Sequence, residues 1–144
     1  MEHISDHAAA FAADAAAQAA SPSLTDRQWA AAAHASALLA ALLTSWVAGI
    51  AGAVAALAVW MLARDRSAFA AEHAKEALNF NLSMFIYAAI ATVLVIFTFG
   101  IGLILAAPLW LVLALAWVVC TLVAAFRAWD GQAYRYPLSI RLFR

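Results

Sequence analysis

The chain has 144 residues, a length that suits one domain. Hydrophobic residues make up 68% of it and charged residues 11%, whereas a soluble domain is about half apolar and about a quarter charged. This composition indicates a membrane protein, and the net charge of zero gives no bulk attraction to nucleic acid. The single cysteine, Cys120, excludes an internal disulfide and a cysteine-based zinc site.

The charged residues are confined to three segments. Residues 1–27 contain four acids and one base, 64–76 contain three of each, and 127–144 contain four arginines and one aspartate. The intervals between them, 28–63 and 77–126, contain no Asp, Glu, Lys or Arg. Because charged side chains are costly in the bilayer core, these two intervals are predicted to lie in the membrane.

The N-terminal segment, residues 1–25, is Ala-rich and lacks the basic start and Leu-rich core of a secretory signal peptide. It is predicted to be a flexible tail that precedes a membrane domain over 26–144. Thr25 and Gln28 form a T-x-x-Q capping pattern, which predicts a helix that starts near Asp26.

The first apolar interval is too long for one straight span. As a single helix, residues 30–63 would be about 51 Å long, against a hydrocarbon core of about 30 Å. Trp46, followed by Gly49 and Gly52, offers a place to turn, and tryptophan prefers the membrane interface. We predict a hairpin of two short spans, 29–45 and 48–63, packed through small residues; a re-entrant hairpin and a single bent span remain alternatives.

The second interval is predicted to form spans 77–98 and 103–126, joined by a tight uncharged turn. The expected fold is therefore an all-α membrane protein of two helical hairpins with four short spans; three spans are the alternative. Positive residues stay on the cytoplasmic side, which places 64–76 and the extended C-terminal tail there in either topology. The tryptophans expected to anchor the spans at the interfaces are Trp29, Trp46, Trp60 and Trp129.

Polar residues continue from 64–76 into the third predicted span. Ser67 is the expected N-cap, and Glu72, Glu76, Asn79 and Ser83 share one face of the helix. Polar side chains in a membrane usually face protein or water. The stripe is therefore predicted to hydrogen-bond neighbouring helices; a water-lined path and a solvated interfacial helix are the alternatives.

A metal site at this stripe is not expected. His73 and Glu76 have the i, i+3 spacing of helical metal ligands, but a second histidine on the same face is missing. His34 in the first span is the candidate for a further ligand. No nucleophile motif and no phosphate-binding glycine loop are present. We therefore predict no cofactor, no metal and no enzymatic activity.

The C-terminal segment alternates apolar and polar residues from Tyr134 to Leu142, which predicts an extended segment with one apolar face. Pro137 excludes a central strand position. Three placements fit this pattern: along the membrane surface with the arginines on lipid phosphates, on a partner, or on the helix that carries the acids of 64–76.

Several motifs resemble a known family. They are Asp26-Arg27-x-Trp29-Ala30, His34-x-Ser36-x-Leu38, Trp60 before a charged pair, His73-Ala74-Lys75-Glu76-Ala77-Leu78-Asn79-Phe80, and Tyr134-Arg135-Tyr136-Pro137-Leu138-Ser139-Ile140-Arg141. In this order they resemble the Tic20-like family of small bacterial membrane proteins, a domain of unknown function (DUF4870), to which magnetosome membrane proteins are related. The resemblance covers about residues 26–143 and implies the fold and a bacterial inner-membrane location, but no catalytic activity.

The predicted function is that of a non-enzymatic inner-membrane protein that acts by assembly, as a homo-oligomer or with a membrane-protein partner. A channel or protein-translocation component lined by the polar stripe is the alternative. The residues predicted to form the assembly face are His34, Glu72, His73, Lys75, Glu76, Asn79, Asn81, Ser83, Tyr134, Arg135, Tyr136, Pro137 and Arg141.

Overall fold

The computed structural model of the protein describes residues 21–44 and 48–143, and within them the chain forms four helices. They are α1 (Leu24–Thr44), α2 (Ala48–Ala63), α3 (Ala68–Phe97) and α4 (Leu103–Trp129). Residues 130–143 form an irregular segment that we call the tail, and no strand occurs in the described chain. The predicted all-helical fold is confirmed.

Two of the described helices, α3 and α4, are long and apolar enough to cross a membrane. The second helix is also apolar but has only 16 residues. Complete crossing by α1 and α2 therefore stays a prediction. Trp46 and most of the predicted N-terminal tail lie outside the described residues.

The helix starts follow from side-chain caps. The Ser67 hydroxyl accepts a hydrogen bond from the Ala70 amide at 3.1 Å, which confirms Ser67 as the N-cap of α3. The helix α1 begins at Leu24, close to the predicted start near Asp26, but the predicted cap of Thr25 and Gln28 is wrong. Ser23 and Asp26 form the capping pair instead: the Ser23 amide donates to Asp26 Oδ2 at 3.0 Å, and the Asp26 amide donates to Ser23 Oγ at 3.1 Å.

The first two helices run antiparallel and pack through small side chains. Ala30 of α1 shares a buried cluster with Ala63 of α2, and further along Ala37 shares one with Ala56. Packing against α3 is closer still, because a Cβ at Gly52 would overlap the side-chain oxygen of Asn81. The α2 backbone thus lies directly on α3, as small-residue faces allow in a membrane.

The α1–α2 hairpin covers only part of α3. Near its tip, Gly49 lies against Phe85, so a Cβ added there would be 2.7 Å from Phe85 Cβ. Residues 86–97 of α3 continue about 18 Å beyond this level. We call the end of the bundle at the 98–102 turn the far end, and the end at residues 64–67 the near end. The far end is apolar and exposed, with Phe99 98% exposed.

At the near end, α4 closes against α1. Ala128 is buried in the same cluster as Ala30 and Ala70. Gly131, with φ of +74°, then ends the helix, and the Gln132 amide donates to the Arg127 carbonyl at 2.8 Å. This left-handed turn directs the tail back over α3.

Gly52→Leu should loosen the bundle, because a side chain there would push α2 away from Asn81. We expect a loss of about 1–3 kcal/mol, typical of overpacking, measured as a lower unfolding temperature in detergent. Ala58→Leu, at an exposed position of the same helix, is the matched control and should melt like the wild type. Equal melting of both variants would contradict the close α2–α3 contact.

Candidate functional site

The tail lies on α3, where the polar stripe binds its backbone. Asn79 makes the largest contribution. Its Oδ1 accepts from the amides of Leu142 at 3.0 Å and Phe143 at 2.9 Å, and its Nδ2 donates to the Phe143 carbonyl at 2.8 Å. One buried side chain thus satisfies three backbone groups of the tail.

Two further stripe residues continue the pattern toward the far end. The Ser83 hydroxyl accepts from the Ile140 amide at 2.7 Å and donates to the Asn79 carbonyl of its own helix. One turn further, the Tyr87 hydroxyl donates to the Leu138 carbonyl at 3.0 Å. Because Asn79, Ser83 and Tyr87 repeat at a spacing of four, they lie in one row that follows the tail.

At the near end, Glu76 binds both ends of this loop of chain. Glu76 Oε2 accepts from the Tyr136 amide at 3.2 Å, where the tail arrives, and Oε1 accepts from Arg141 Nε at 3.2 Å, where it returns. Between them the chain reverses at Pro137 and Leu138. The tail is therefore a loop that runs along α3 toward the far end and then returns toward the near end.

The predicted single apolar face of the tail is wrong for this reason. Tyr136 is buried, whereas Leu138, Ile140 and Leu142 are exposed on the outside of the loop. The turn after Pro137 breaks the period of two, and side chains of α3 replace the hydrogen bonds of a neighbouring strand. The placement on the acid-bearing helix, one of three alternatives, is the one that the structure has.

A row of hydrogen bonds joins the tail to two buried histidines. The Tyr136 hydroxyl lies 2.9 Å from His34 Nδ1, His34 Nε2 lies 2.9 Å from His73 Nδ1, and His73 Nε2 lies 3.2 Å from the Gln132 carbonyl oxygen. We call these four residues the histidine row. It connects α1 and α3 to two residues of the tail, Gln132 and Tyr136.

The last acceptor determines the position of every proton in the row. A carbonyl oxygen can only accept, so His73 Nε2 must carry hydrogen. With a neutral imidazole, His73 Nδ1 then accepts from His34 Nε2–H, and His34 Nδ1 accepts from the Tyr136 hydroxyl. Both histidines are neutral in this arrangement, and each ring nitrogen has a partner, as burial requires.

Aromatic contacts hold the row in place. The Tyr136 ring stacks on Phe80 with a centroid distance of 3.9 Å and an angle of 12°. Phe69 lies 4.6 Å from the His73 ring. Burial raises the pKa of the Tyr136 phenol far above its ordinary value, so the hydroxyl keeps the proton that it donates to His34.

The remaining predicted residues lie apart from the tail contacts. Glu72 pairs with Lys75 at the surface, and Asn81 faces away from the tail. There Asn81 Oδ1 accepts from the Trp117 indole at 3.1 Å, which joins α3 to α4. Arg135 is exposed, Trp129 is half exposed, and Trp60 lies under the Arg64 guanidinium. No cluster of three metal-ligating side chains occurs among the residues that the structure describes.

Sequence reasoning missed three participants: Gln132, Trp117 and Thr121. Gln132 contributes a backbone carbonyl, for which no sequence pattern exists. Trp117 had a signal, since a tryptophan in the middle of a predicted span is far from the interface that it prefers and implies a buried partner for its indole nitrogen. Thr121 is buried beside Tyr136.

The fold and the tail contacts define a class: a small helical membrane protein whose apolar hairpin carries a polar stripe that binds the chain's own tail. Residues 25–143 match the family model of the magnetosome magnetite crystal formation proteins (MamF/MmsF). The chain belongs to this family, which confirms the relation to magnetosome membrane proteins; the wider Tic20-like relation stays a prediction. No curated protein and no solved structure is significantly similar to the chain.

Removing the Asn79 amide should release the end of the tail. Asn79→Leu deletes three hydrogen bonds, each worth about 1 kcal/mol, so the Leu142 and Phe143 amides should exchange with deuterium much faster. Ser83→Ala should mainly affect the Ile140 amide. Thr92→Val is the matched control on α3, because the Thr92 hydroxyl donates to Ala88 of its own helix, and its tail amides should stay protected.

The tautomers of the histidine row can be measured directly. With ¹⁵N-labelled histidine, His34 and His73 should both give the chemical shifts of neutral rings protonated at Nε2. Tyr136→Phe should shift His34 Nδ1 and destabilise the fold by about 1–3 kcal/mol, because it leaves a buried acceptor unpaired. Tyr134→Phe is the control. A His34 ring protonated at Nδ1 would contradict the proposed proton positions.

Proposed function

We propose that this chain takes part in magnetite crystal formation as a non-enzymatic protein of the magnetosome membrane, and that it acts by assembly with copies of itself or with other membrane proteins. The family match supports a part in magnetite crystal formation. The charge distribution supports action by assembly within the membrane. Intervals 28–63 and 77–126 hold no charged residue, so neither does the turn at the far end.

This distribution argues against direct contact with the mineral. Iron ions and oxide surfaces are bound by hard oxygen ligands, above all carboxylates. If both hairpins cross the membrane and residues 64–76 are cytoplasmic, as the positive-inside rule favours, the acidic N-terminal segment is cytoplasmic too, and the far end faces the magnetosome interior with a turn of Thr, Phe, Gly and Ile. Such a turn offers no carboxylate, so the protein would influence the crystal through its membrane partners.

The observation that carries the assembly proposal is the exposure of α4. Of its 27 residues, only Ala106, Thr121, Ala124 and Ala128 are buried. Two of its exposed side chains, Leu111 and Leu115, are 61% and 59% exposed. A helix so little covered by its own chain has a full apolar face available for packing against another membrane helix.

The channel alternative loses the feature that suggested it. Asn79 and Ser83 are buried, and both bind the tail backbone instead of facing open space. Glu76 is likewise bonded to Tyr136 and Arg141. Three of the four stripe residues thus bind the tail of the same chain, which supports an assembling protein over a lined pore.

Cysteine cross-linking in native membranes tests the assembly. In a Cys120→Ser background, Val112→Cys on α4 should give disulfide-linked dimers after mild oxidation. Val54→Cys on α2 is the matched control, since both valines are 60% exposed, and it should remain monomeric. Equal cross-linking at both positions, or at neither, would contradict assembly through α4.

A second experiment connects assembly to the crystal. In magnetite-forming cells that lack this chain, the wild type should restore crystal size, whereas Leu111→Ala with Leu115→Ala should not. The control, Leu39→Ala with Leu62→Ala, changes leucines of similar exposure on α1 and α2 and should restore it. Full restoration of crystal size by the α4 double variant would show that crystal formation does not require this face of α4.

A further inference from the structure

A cavity of about 410 Å³ lies under the tip of the α1–α2 hairpin. Ala41 and Gly49 of the hairpin form its roof, Ala88 of α3 forms one side, and Trp110 and Trp117 of α4 form the other. The cavity exists because α1 and α2 end at this level while α3 and α4 continue. Its volume is in the range of small-ligand sites.

The cavity walls are mainly hydrocarbon, and neither tryptophan has an indole N–H available to a ligand. The Trp117 indole donates to Asn81 Oδ1 at 3.1 Å, and the Trp110 indole donates to the Ala88 carbonyl at 3.4 Å. Both N–H groups are thus used inside the protein, and the ring surfaces line the space. A ligand here must be mainly apolar.

The position of the cavity specifies where that ligand comes from. Ala88 lies about 14 Å from the far end of α3, near the middle of a hydrocarbon core about 30 Å thick. A second groove of about 290 Å³ runs between α3 and α4 toward the far end, past Leu94 and Leu105. Leu113 lines both spaces.

We propose that the groove and the cavity together bind one acyl chain of a phospholipid from the leaflet at the far end. The head group would lie at the interface near the 98–102 turn, and the chain would follow the groove so that its end fills the cavity beside Trp110. An acyl chain fits because it is apolar, unbranched and present at this depth. An empty apolar space would forfeit the dispersion contacts of its walls.

Native mass spectrometry of the full chain, extracted from phospholipid bilayers and washed with detergent, tests the site. The wild type should retain one phospholipid per chain. Ala114→Phe, which fills the cavity from α4, should lower retention at least tenfold. Ala107→Phe, an exposed alanine of the same helix, is the matched control and should retain the lipid.

A second measurement does not depend on the cavity-filling variant. In bilayers of phospholipid brominated near the end of the acyl chain, Trp110 fluorescence, obtained as wild type minus Trp110→Phe, should be quenched more strongly than in bilayers brominated near the head group. No retained lipid in the wild type, equal retention by Ala114→Phe, or stronger quenching by the head-group bromines would each overturn the proposal.

The experiments distinguish failure of the lipid-site proposal from failure of the assembly proposal. Ala114→Phe should lower lipid retention at least tenfold and leave Val112→Cys cross-linking intact, because position 112 lies outside the cavity. If a second copy filled the cavity instead, the wild type would be cross-linked but carry no lipid, which would reject the acyl chain and keep the assembly.

Discussion

The need to hydrogen-bond an irregular backbone next to a membrane shapes this protein. Where water is scarce, every unpaired N–H or C=O is costly, and irregular chain is tolerated only if it is buried in protein. The tail meets this requirement through side chains of α3: Glu76, Asn79, Ser83 and Tyr87 supply bonds that a neighbouring strand would otherwise provide. These bonds to the tail backbone explain why polar residues occur in the otherwise apolar helix α3.

The histidine row extends the same requirement to the near end of the bundle. There all four described helices converge through alanine contacts so close that few side chains fit, and the polar groups that remain must satisfy one another. Tyr136, His34, His73 and the Gln132 carbonyl do so as a set. Loss of any member leaves its neighbour unpaired, so α1, α3 and the tail are energetically coupled.

Local features of the chain could be predicted from sequence, and long-range partners could not. The Ser67 cap and the common face of Glu76, Asn79 and Ser83 follow from helical spacing. The cap of α1 was predicted wrongly because two capping patterns overlap within six residues, and the earlier pair, Ser23 and Asp26, forms the bonds. The tail was only one of several possible partners of the stripe, since most of the bonded groups are backbone atoms about 60 residues away.

The tail is bound through its main chain, and this has an evolutionary consequence. Leu138, Ile140 and Leu142 are held by their amides or carbonyls while their side chains point outward. Their identities can therefore drift among apolar residues at little cost. An insertion or deletion of a single residue between Gln132 and Phe143 would instead displace every later amide from its acceptor. Substitutions should be tolerated in this segment, and changes of length should not.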